Sequence, residues 1–222
     1  MSDRSGSNPL RWQLAQWLEL LWWKRYLKGK SPEEYLAWKT SYWKNFLHKL
    51  RSLPALKHKH ILDAGCGPAG VYLALEGNTV TATDPLLDSY ATTLPHFSKD
   101  RYPYVRFRTE ALEALADSNE YDITFCLNAI NHVADIRLCF RKLVDATKPG
   151  GTVFVSIDAH RHSWLMPLFR LIPGDALHPH QYDLNGYIQL REAAGCTVTE
   201  KLLVEPGKIF DYWVLTGVKG NT

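Results

Sequence analysis

Three observations predict an α/β fold built on a mostly parallel sheet. Strand-like and helix-like segments alternate from residue 61 to residue 218. The apolar run His60-Ile61-Leu62 stops at Asp63 and is followed by Gly65, Gly67 and Gly70, which reads as a strand entering a tight turn and then a helix N-terminus. The last two strand-like segments, 197–204 and 209–218, are joined only by Glu205-Pro206-Gly207-Lys208. A parallel crossover needs a dozen or more residues, so this pair forms an antiparallel hairpin.

Size and composition bound the rest. The 222 residues suit one domain of ordinary size with an appendage. With 45% hydrophobic and 22% charged residues, the balance is that of a soluble globular chain. No apolar run reaches the ~20 residues of a spanning helix. The N-terminus lacks the apolar core and small residues of a signal peptide, so a cytoplasmic location is expected. Cys66, Cys126, Cys139 and Cys196 are far apart with no C-x-x-C pair, which speaks against a disulfide framework or a zinc ribbon.

The net charge of +3 is unevenly spread. Residues 1–60 hold 12 Lys/Arg against 4 Asp/Glu, and the remainder holds 14 against 19. A solvated basic helical surface accounts for the first part. Attraction to an acidic substrate, a carrier protein or an anionic membrane surface accounts for it as well.

In chain order, residues 1–8 are polar and small. Leu10, Leu14, Trp17, Leu18 and Leu21 recur at helical spacing up to Leu27, and Gly29 ends that helix. Ser31-Pro32-Glu33-Glu34 marks a second helix start, with Ser31 as N-cap and Glu34 closing a capping box. This helix runs to about Leu50. Six of the eight tryptophans lie in the two helices. They pack onto the core or form an aromatic-walled lid that includes Tyr42 and Trp43; a membrane-surface helix is a third, weaker reading, because the basic residues are not confined to one clean face. A boundary near residue 57 divides this tail and helical lid from residues 58–222.

Beyond residue 60, strands are expected at 61–63, 79–83, 104–108, 121–127 and 152–157. Helices are expected at about 69–76, from Asp84-Pro85 to about Phe97, at 135–147 and at 184–194. Lys148-Pro149-Gly150-Gly151 forms the turn before the fifth strand. The long connection at about 159–183 carries Trp164, Met166, Phe169, Leu171 and Ile172, which argues for an apolar cover.

The glycine spacing alone fits a dinucleotide site as well as other nucleoside cofactors. Asp63 separates them. A pyrophosphate would sit on the turn and the helix N-terminus, where a neighbouring carboxylate repels it. A cofactor bearing a sulfonium and an ammonium gains from that acid. In Asp63 followed by glycines at this spacing, the chain resembles the class I S-adenosylmethionine-dependent methyltransferases over about residues 58–218. The resemblance implies a Rossmann-like three-layer sandwich with seven strands, the last one antiparallel. It implies S-adenosyl-L-methionine as cofactor, with Asp63, Gly65, Cys66 and Gly67 framing its methionine part. Asp84, 17 residues after Gly67 and followed by Pro85, ends strand two, where an acid can accept both ribose hydroxyls. Glu110-Ala111 follows strand three, where this family carries an acid for the adenine amino group. Asn128 ends strand four near the methionine end.

Methyl transfer needs a nucleophile within about 3–3.5 Å of the methyl carbon and exclusion of water. A base is needed only where the nucleophile holds a proton. His160 is the first candidate base, with Asp158 orienting a neighbour or binding substrate, and His132 is the second. Trp164, His178 and His180 join Tyr42 and Trp43 as candidate substrate contacts. H-x-H on an irregular loop is a weak metal signal, and no metal is assigned.

The expected activity is methyl transfer to a small aromatic, lipid-like or carrier-bound acceptor. Two rivals stand beside it, a protein of this fold that binds the cofactor without methylating and a nicotinamide-dependent oxidoreductase. Nucleic acid is not an expected partner, since Asn128-Ala129-Ile130-Asn131 lacks the Pro-Pro-aromatic pattern of nucleic-acid amino methyltransferases. Stable membrane insertion is not expected either. A carrier protein and a second copy of the chain are candidate partners.

Overall fold

The structure, a computed structural model, describes residues 9–161 and 182–220. Two helices come first, α1 (Pro9–Leu27) and α2 (Pro32–Lys49). Ser31 caps α2 as expected. Its hydroxyl oxygen accepts from the Glu34 N–H at 3.4 Å, and the hydroxyl donates to Glu33, not Glu34, at 3.3 Å. There follow β1 (His60–Ala64), β2 (Thr79–Thr83), α3 (Leu87–Thr93), β3 (Val105–Arg108), β4 (Tyr121–Cys126), α4 (Ile136–Ala146), β5 (Thr147–His160), α5 (Leu184–Glu192), β6 (Cys196–Glu205) and β7 (Phe210–Lys219).

The strands form one seven-stranded sheet in the order β3-β2-β1-β4-β5-β7-β6. Each pairing is parallel except those of β7, which runs antiparallel to both β5 and β6. The expected terminal hairpin is therefore present. The strand order reverses between β1 and β4, and in such sheets a crevice opens there, beyond the carboxyl ends of the strands.

Alternate residues feed two cores, as the pleat requires. Ile61, Val80, Ile123 and Phe154 face one side, and Leu62, Cys126, Val153 and Val155 the other. On the first side lie the buried Tyr35, Leu36, Trp43, Phe46 and Leu47 of α2. On the second lie Phe140 and Leu143 of α4 with Tyr187 and Leu190 of α5. The result is three layers. It also means that α2 shares a core with the sheet, so residue 57 does not divide two hydrophobic units. α1 is different. Of its described side chains only Leu27 is buried.

Four local expectations are corrected. No α-helix follows the glycine turn. Two short 3₁₀ segments, Gly67–Ala69 and Val71–Ala74, stand there, with Gly70 extended between them. The helix after Asp84 is short and ends at Thr93, not near Phe97. Lys148-Pro149-Gly150-Gly151 does not separate helix from strand. Thr147 already pairs with Tyr121, and the glycines are absorbed as a register shift inside β5. β5 also continues past Ile157 to His160, because β7 offers partners as far as Phe210.

Gly70 leaves no room for a side chain. A Cβ there would lie 2.5 Å from the Asp63 Oδ2 and 2.6 Å from the Cys66 carbonyl oxygen. Gly70→Ala is therefore expected to destabilise by about 1–3 kcal/mol, the usual cost of overpacking. A melting curve should shift down by roughly 2–4 °C per kcal/mol. An unchanged midpoint would show that the turn opens freely and that the contact is not tight.

Candidate functional site

A cavity of about 180 Å³ lies beyond the carboxyl ends of β1 to β4. Its floor is the glycine turn. Gly65 at φ +69° and Gly67 at φ +57° adopt left-handed backbone, and a Cβ on Gly65 would meet the Ala129 Cβ at 2.3 Å. Gly65, Cys66 and Gly67 all line the cavity.

Asp63 does not. It is buried beneath the turn, where its Oδ2 accepts the Tyr72 N–H at 2.9 Å. Burial pushes its carboxyl up to about 7, against the pull of the backbone N–H groups of Tyr72 and Val71. The acid expected to face a ligand instead ties the turn to the 3₁₀ segment behind it.

Asp84 is on the wall, as is Pro85. Its two oxygens accept from Gly67 N at 3.0 Å and from Leu86 N at 2.9 Å. Each oxygen retains a second lone pair for a ligand hydroxyl. Burial raises its pKa, and the charge of Glu19 raises it further. Glu19 comes from α1, lines the same cavity, and accepts the Tyr90 O–H at 3.1 Å. Burial and these two carboxylates hold Tyr90 far up, so it stays a donor.

Glu110 and Ala111 line the far end after β3. Glu110 is ion-paired with Arg108, which also holds Asp117 at 2.7 Å. Glu113 adds another acid, fixed by the backbone N–H groups of Ala134 and Asp135 at 2.7 and 3.3 Å. Asn128 sits after β4 in left-handed backbone, φ +57°, with its N–H donating to the Ser156 hydroxyl at 2.7 Å. His132 lines the cavity beside it.

The roof comes from the N-terminal helices. Ala15, Gln16, Glu19 and Trp23 of α1, with Lys39 and Trp43 of α2, line the cavity. Trp43 is fixed by its indole N–H, which donates to the Ala69 carbonyl at 2.9 Å. Lys39 is the one Lys or Arg among the described lining residues. Its Nζ stands 4.3 Å from the Tyr42 ring centre and 4.8 Å from that of Trp43. Desolvation brings its ammonium down to about 8.

The expected catalytic residues separate. His132 is at the cavity; His160 and Asp158 are not among its lining residues. The extension of β5 is the reason. His160 lies in the sheet opposite Phe210, its ring 4.4 Å from the phenyl centre and its backbone N–H donating to Tyr182. Asp158 accepts from the Asn131 side chain at 3.3 Å, and Asn131 in turn accepts the Tyr187 O–H at 3.0 Å. Tyr42 faces a separate groove with Trp38, Phe46 and Val204. Trp164, His178 and His180 lie outside the described residues.

Sequence reading missed Glu19, Lys39 and Glu113. Glu19 carried a signal, as the one acid within Pro9–Leu27. Lys39 and Glu113 carried none, since packing alone brings them to the cavity.

A Rossmann-like sheet with an acid-lined crevice at its switch point defines a class of nucleoside-cofactor proteins. Comparison narrows the class. The family described as "Methyltransferase domain" matches residues 62–155. That stretch is somewhat less than half of the chain, and over it the chain is similar to the class I S-adenosylmethionine-dependent methyltransferases. It is similar to the ubiquinone biosynthesis O-methyltransferase of Azorhizobium caulinodans, 33% identical over 116 residues, which cover 51% of this chain and 46% of that one. The protein of that name from Escherichia coli O6:H1 is 29% identical over 156 residues, 65% of this chain and 62% of that one. The matched segment thus spans about half of these relatives' length. Among solved structures, the Burkholderia thailandensis 1,6-didemethyltoxoflavin-N1-methyltransferase superposes with a TM-score of 0.55 at 20% identity, covering 86% of this chain and 91% of that one. At that identity the likeness is one of fold.

The buried acids set a pH dependence. The folded Asp63 keeps its proton up to about 7, while an unfolded one loses it near its ordinary value of 3.8. The native state therefore binds the extra proton between these values, and stability falls as pH rises through that window. Asp84 acts in the same direction. Denaturant unfolding from about pH 5 to pH 8 should show declining stability, with a shallower slope in Asp63→Asn. A rising slope, or one unchanged in the variant, would contradict the assignment.

Proposed function

We propose that this chain binds S-adenosyl-L-methionine at the β1–β4 crevice and transfers its methyl group to a small, lipid-like oxygen acceptor. The observation that carries the reading is the composition of the cavity wall. Glu19, Asp84, Glu110 and Glu113 surround a glycine turn at the switch point, with Lys39 the one Lys or Arg among the described lining residues. Such a wall repels a pyrophosphate and suits a cationic ligand with several hydroxyls and amino groups. The nicotinamide alternative is disfavoured on the same ground. The oxygen acceptor and its lipid-like character draw on the relatives named for ubiquinone biosynthesis.

When bound, S-adenosylmethionine supplies an electrophilic methyl on a sulfonium. The residues of the chain divide the remaining tasks. Asp84 accepts the ribose hydroxyls with the lone pairs its backbone contacts leave over. Glu19 adds a second carboxylate beside it. Glu110 receives the adenine amino group. The Gly65–Gly67 backbone and Asn128 bound the methionine end. His132, the one imidazole among the described lining residues, takes the proton of the acceptor hydroxyl. Trp23 and Trp43 keep water out.

The cavity volume bears on how ligands enter. About 180 Å³ is below the ~300–1,000 Å³ of ordinary small-ligand sites. An outward swing of α1 would enlarge this space for both ligands. It holds on through one described buried side chain, whereas α2 has five. Leu20, Trp23 and Tyr26 add partly buried contacts to the same core, so α1 is the lighter attachment of the two. Gly29, at φ +77° just after α1, offers a pivot.

Titration calorimetry should give saturable binding of S-adenosylmethionine and of its demethylated product, and none of a nicotinamide dinucleotide. Asp84→Ala should weaken that binding by about tenfold to a hundredfold, the worth of charge-assisted hydrogen bonds at 1.5–3 kcal/mol. Nicotinamide binding with no response to either sulfur compound would reverse the reading. For a methylated acceptor, His132→Ala should lower kcat by roughly 10²–10⁴-fold with little change in KM. An unaffected kcat would remove His132 from proton transfer and leave the cofactor assignment standing.

A further inference from the structure

The outer face of α1 is unlike the face that lines the cavity. Leu14, Trp17 and Leu21 follow one another at spacings of three and four, a single stripe along the helix. They are 49%, 56% and 40% exposed. Trp22 flanks them at 54% exposure, its ring stacked at 4.9 Å on Tyr26. The same stripe continues through Arg25 to Lys28, with Lys24 alongside, all exposed. The one acid of the helix, Glu19, points the other way, into the cavity.

Single exposed apolar residues are ordinary, but an aligned tryptophan–leucine stripe ending in cations is a different pattern. The chemistry selects one occupant. Protein interfaces are depleted in lysine at their centres. Here Lys24 and Lys28 border the apolar stripe, and Lys30 lies just beyond, its Nζ 3.3 Å from the Tyr26 ring centre. An anionic bilayer accepts both halves: indole and leucine enter the headgroup boundary, and cations meet lipid phosphates. No described helix is long and apolar enough to cross a membrane, so contact would be at the surface.

We propose that α1 lies with its Leu14–Trp17–Leu21 stripe in an anionic lipid surface, with Lys24, Arg25 and Lys28 on the headgroups. The opposite face of the same helix forms the cavity wall, so docking puts the cavity against the bilayer. Docked this way, the domain holds its cavity close to the bilayer from which a lipid-like acceptor arrives. That last step rests on the methyl-transfer reading; the docking does not.

The test is sedimentation of the full chain with vesicles of phosphatidylcholine alone and with an equal mixture of phosphatidylcholine and phosphatidylglycerol. Binding to the mixed vesicles that fades with added salt is expected, with little binding to the neutral ones. The variants Trp17→Ser/Leu21→Ser and Lys24→Glu/Arg25→Glu should each bind the mixed vesicles at least about tenfold more weakly. Both should keep the melting temperature and cofactor titration of the parent. The charge-reversal pair alters only exposed side chains and carries the test should the serine pair disturb folding. No vesicle binding, equal binding to neutral vesicles, or unchanged binding in the charge-reversal pair would overturn the proposal. So would a dimer that Trp17→Ser/Leu21→Ser turns into a monomer, because the stripe would then belong to a second copy. Intact vesicle binding with no cofactor binding would sink the functional reading alone.

Discussion

The arrangement of the site depends on one buried carboxylate. Asp63 leaves β1 pointing under the turn, not into the cavity, and accepts the Tyr72 N–H. A side chain at residue 70 would collide with it, so Gly70 is needed for room and not for an unusual φ. Tyr72 is bound in turn, its O–H donating to the Pro68 carbonyl at 2.8 Å. These contacts replace the regular helix expected after the turn with two short 3₁₀ pieces. They also hold the N–H of Gly67 where Asp84 can accept it. An acid that never lines the cavity thereby fixes two groups that do.

The turn then determines the sign of the cavity. Asp63 and Asp84 are both raised by burial, and each of the nearby Cys66 and Tyr72 is raised by burial and by the charge of Asp63. Further carboxylates, Glu19 and Glu110, on the same wall suit a ligand that brings positive charge. In its absence burial favours the protonated forms of Asp63 and Asp84. Lys39 on the opposite side is desolvated against aromatic rings and shifts toward its neutral form. Both signs are thus kept below full charge while the roof is closed.

Much of the fold was legible in the sequence because its signals are local. Strand periodicity, the Ser31 cap and the short β6–β7 connection each sit within about a dozen residues. The positions of Gly65, Gly67, Asp84, Glu110 and Asn128 at the cavity were legible too, since each falls at the end of a recognisable strand. What failed was non-local. Where β5 ends is decided by β7, some fifty residues on, and that pairing carries His160 into the sheet. Asp63 was read by its proximity to the turn, while its direction depends on a contact nine residues away. Glu19 and Lys39 reach the site from helices that precede the sheet in sequence and touch it only through tertiary packing. Arg191 left no trace at all: it is fully buried in α5 and donates to the carbonyls of Val153 and Leu215.

The two N-terminal helices look alike in composition and differ in physical role. α2 contributes five buried side chains to a core shared with β1, β2 and β4, so removing it would expose the sheet. α1 contributes one, yet supplies four residues of the cavity wall, including Glu19, whose charge raises the pKa of Asp84. An element so placed and so lightly held is positioned to respond to ligand and to whatever meets its outer face. Low anchoring is thermodynamically useful here, because a small differential contact is enough to shift a weakly held element. The exposed tryptophans of α1 would be a liability on a rigid static cover. Turned outward on a helix whose inner face walls the cavity, they can meet a second surface without α1 leaving the domain.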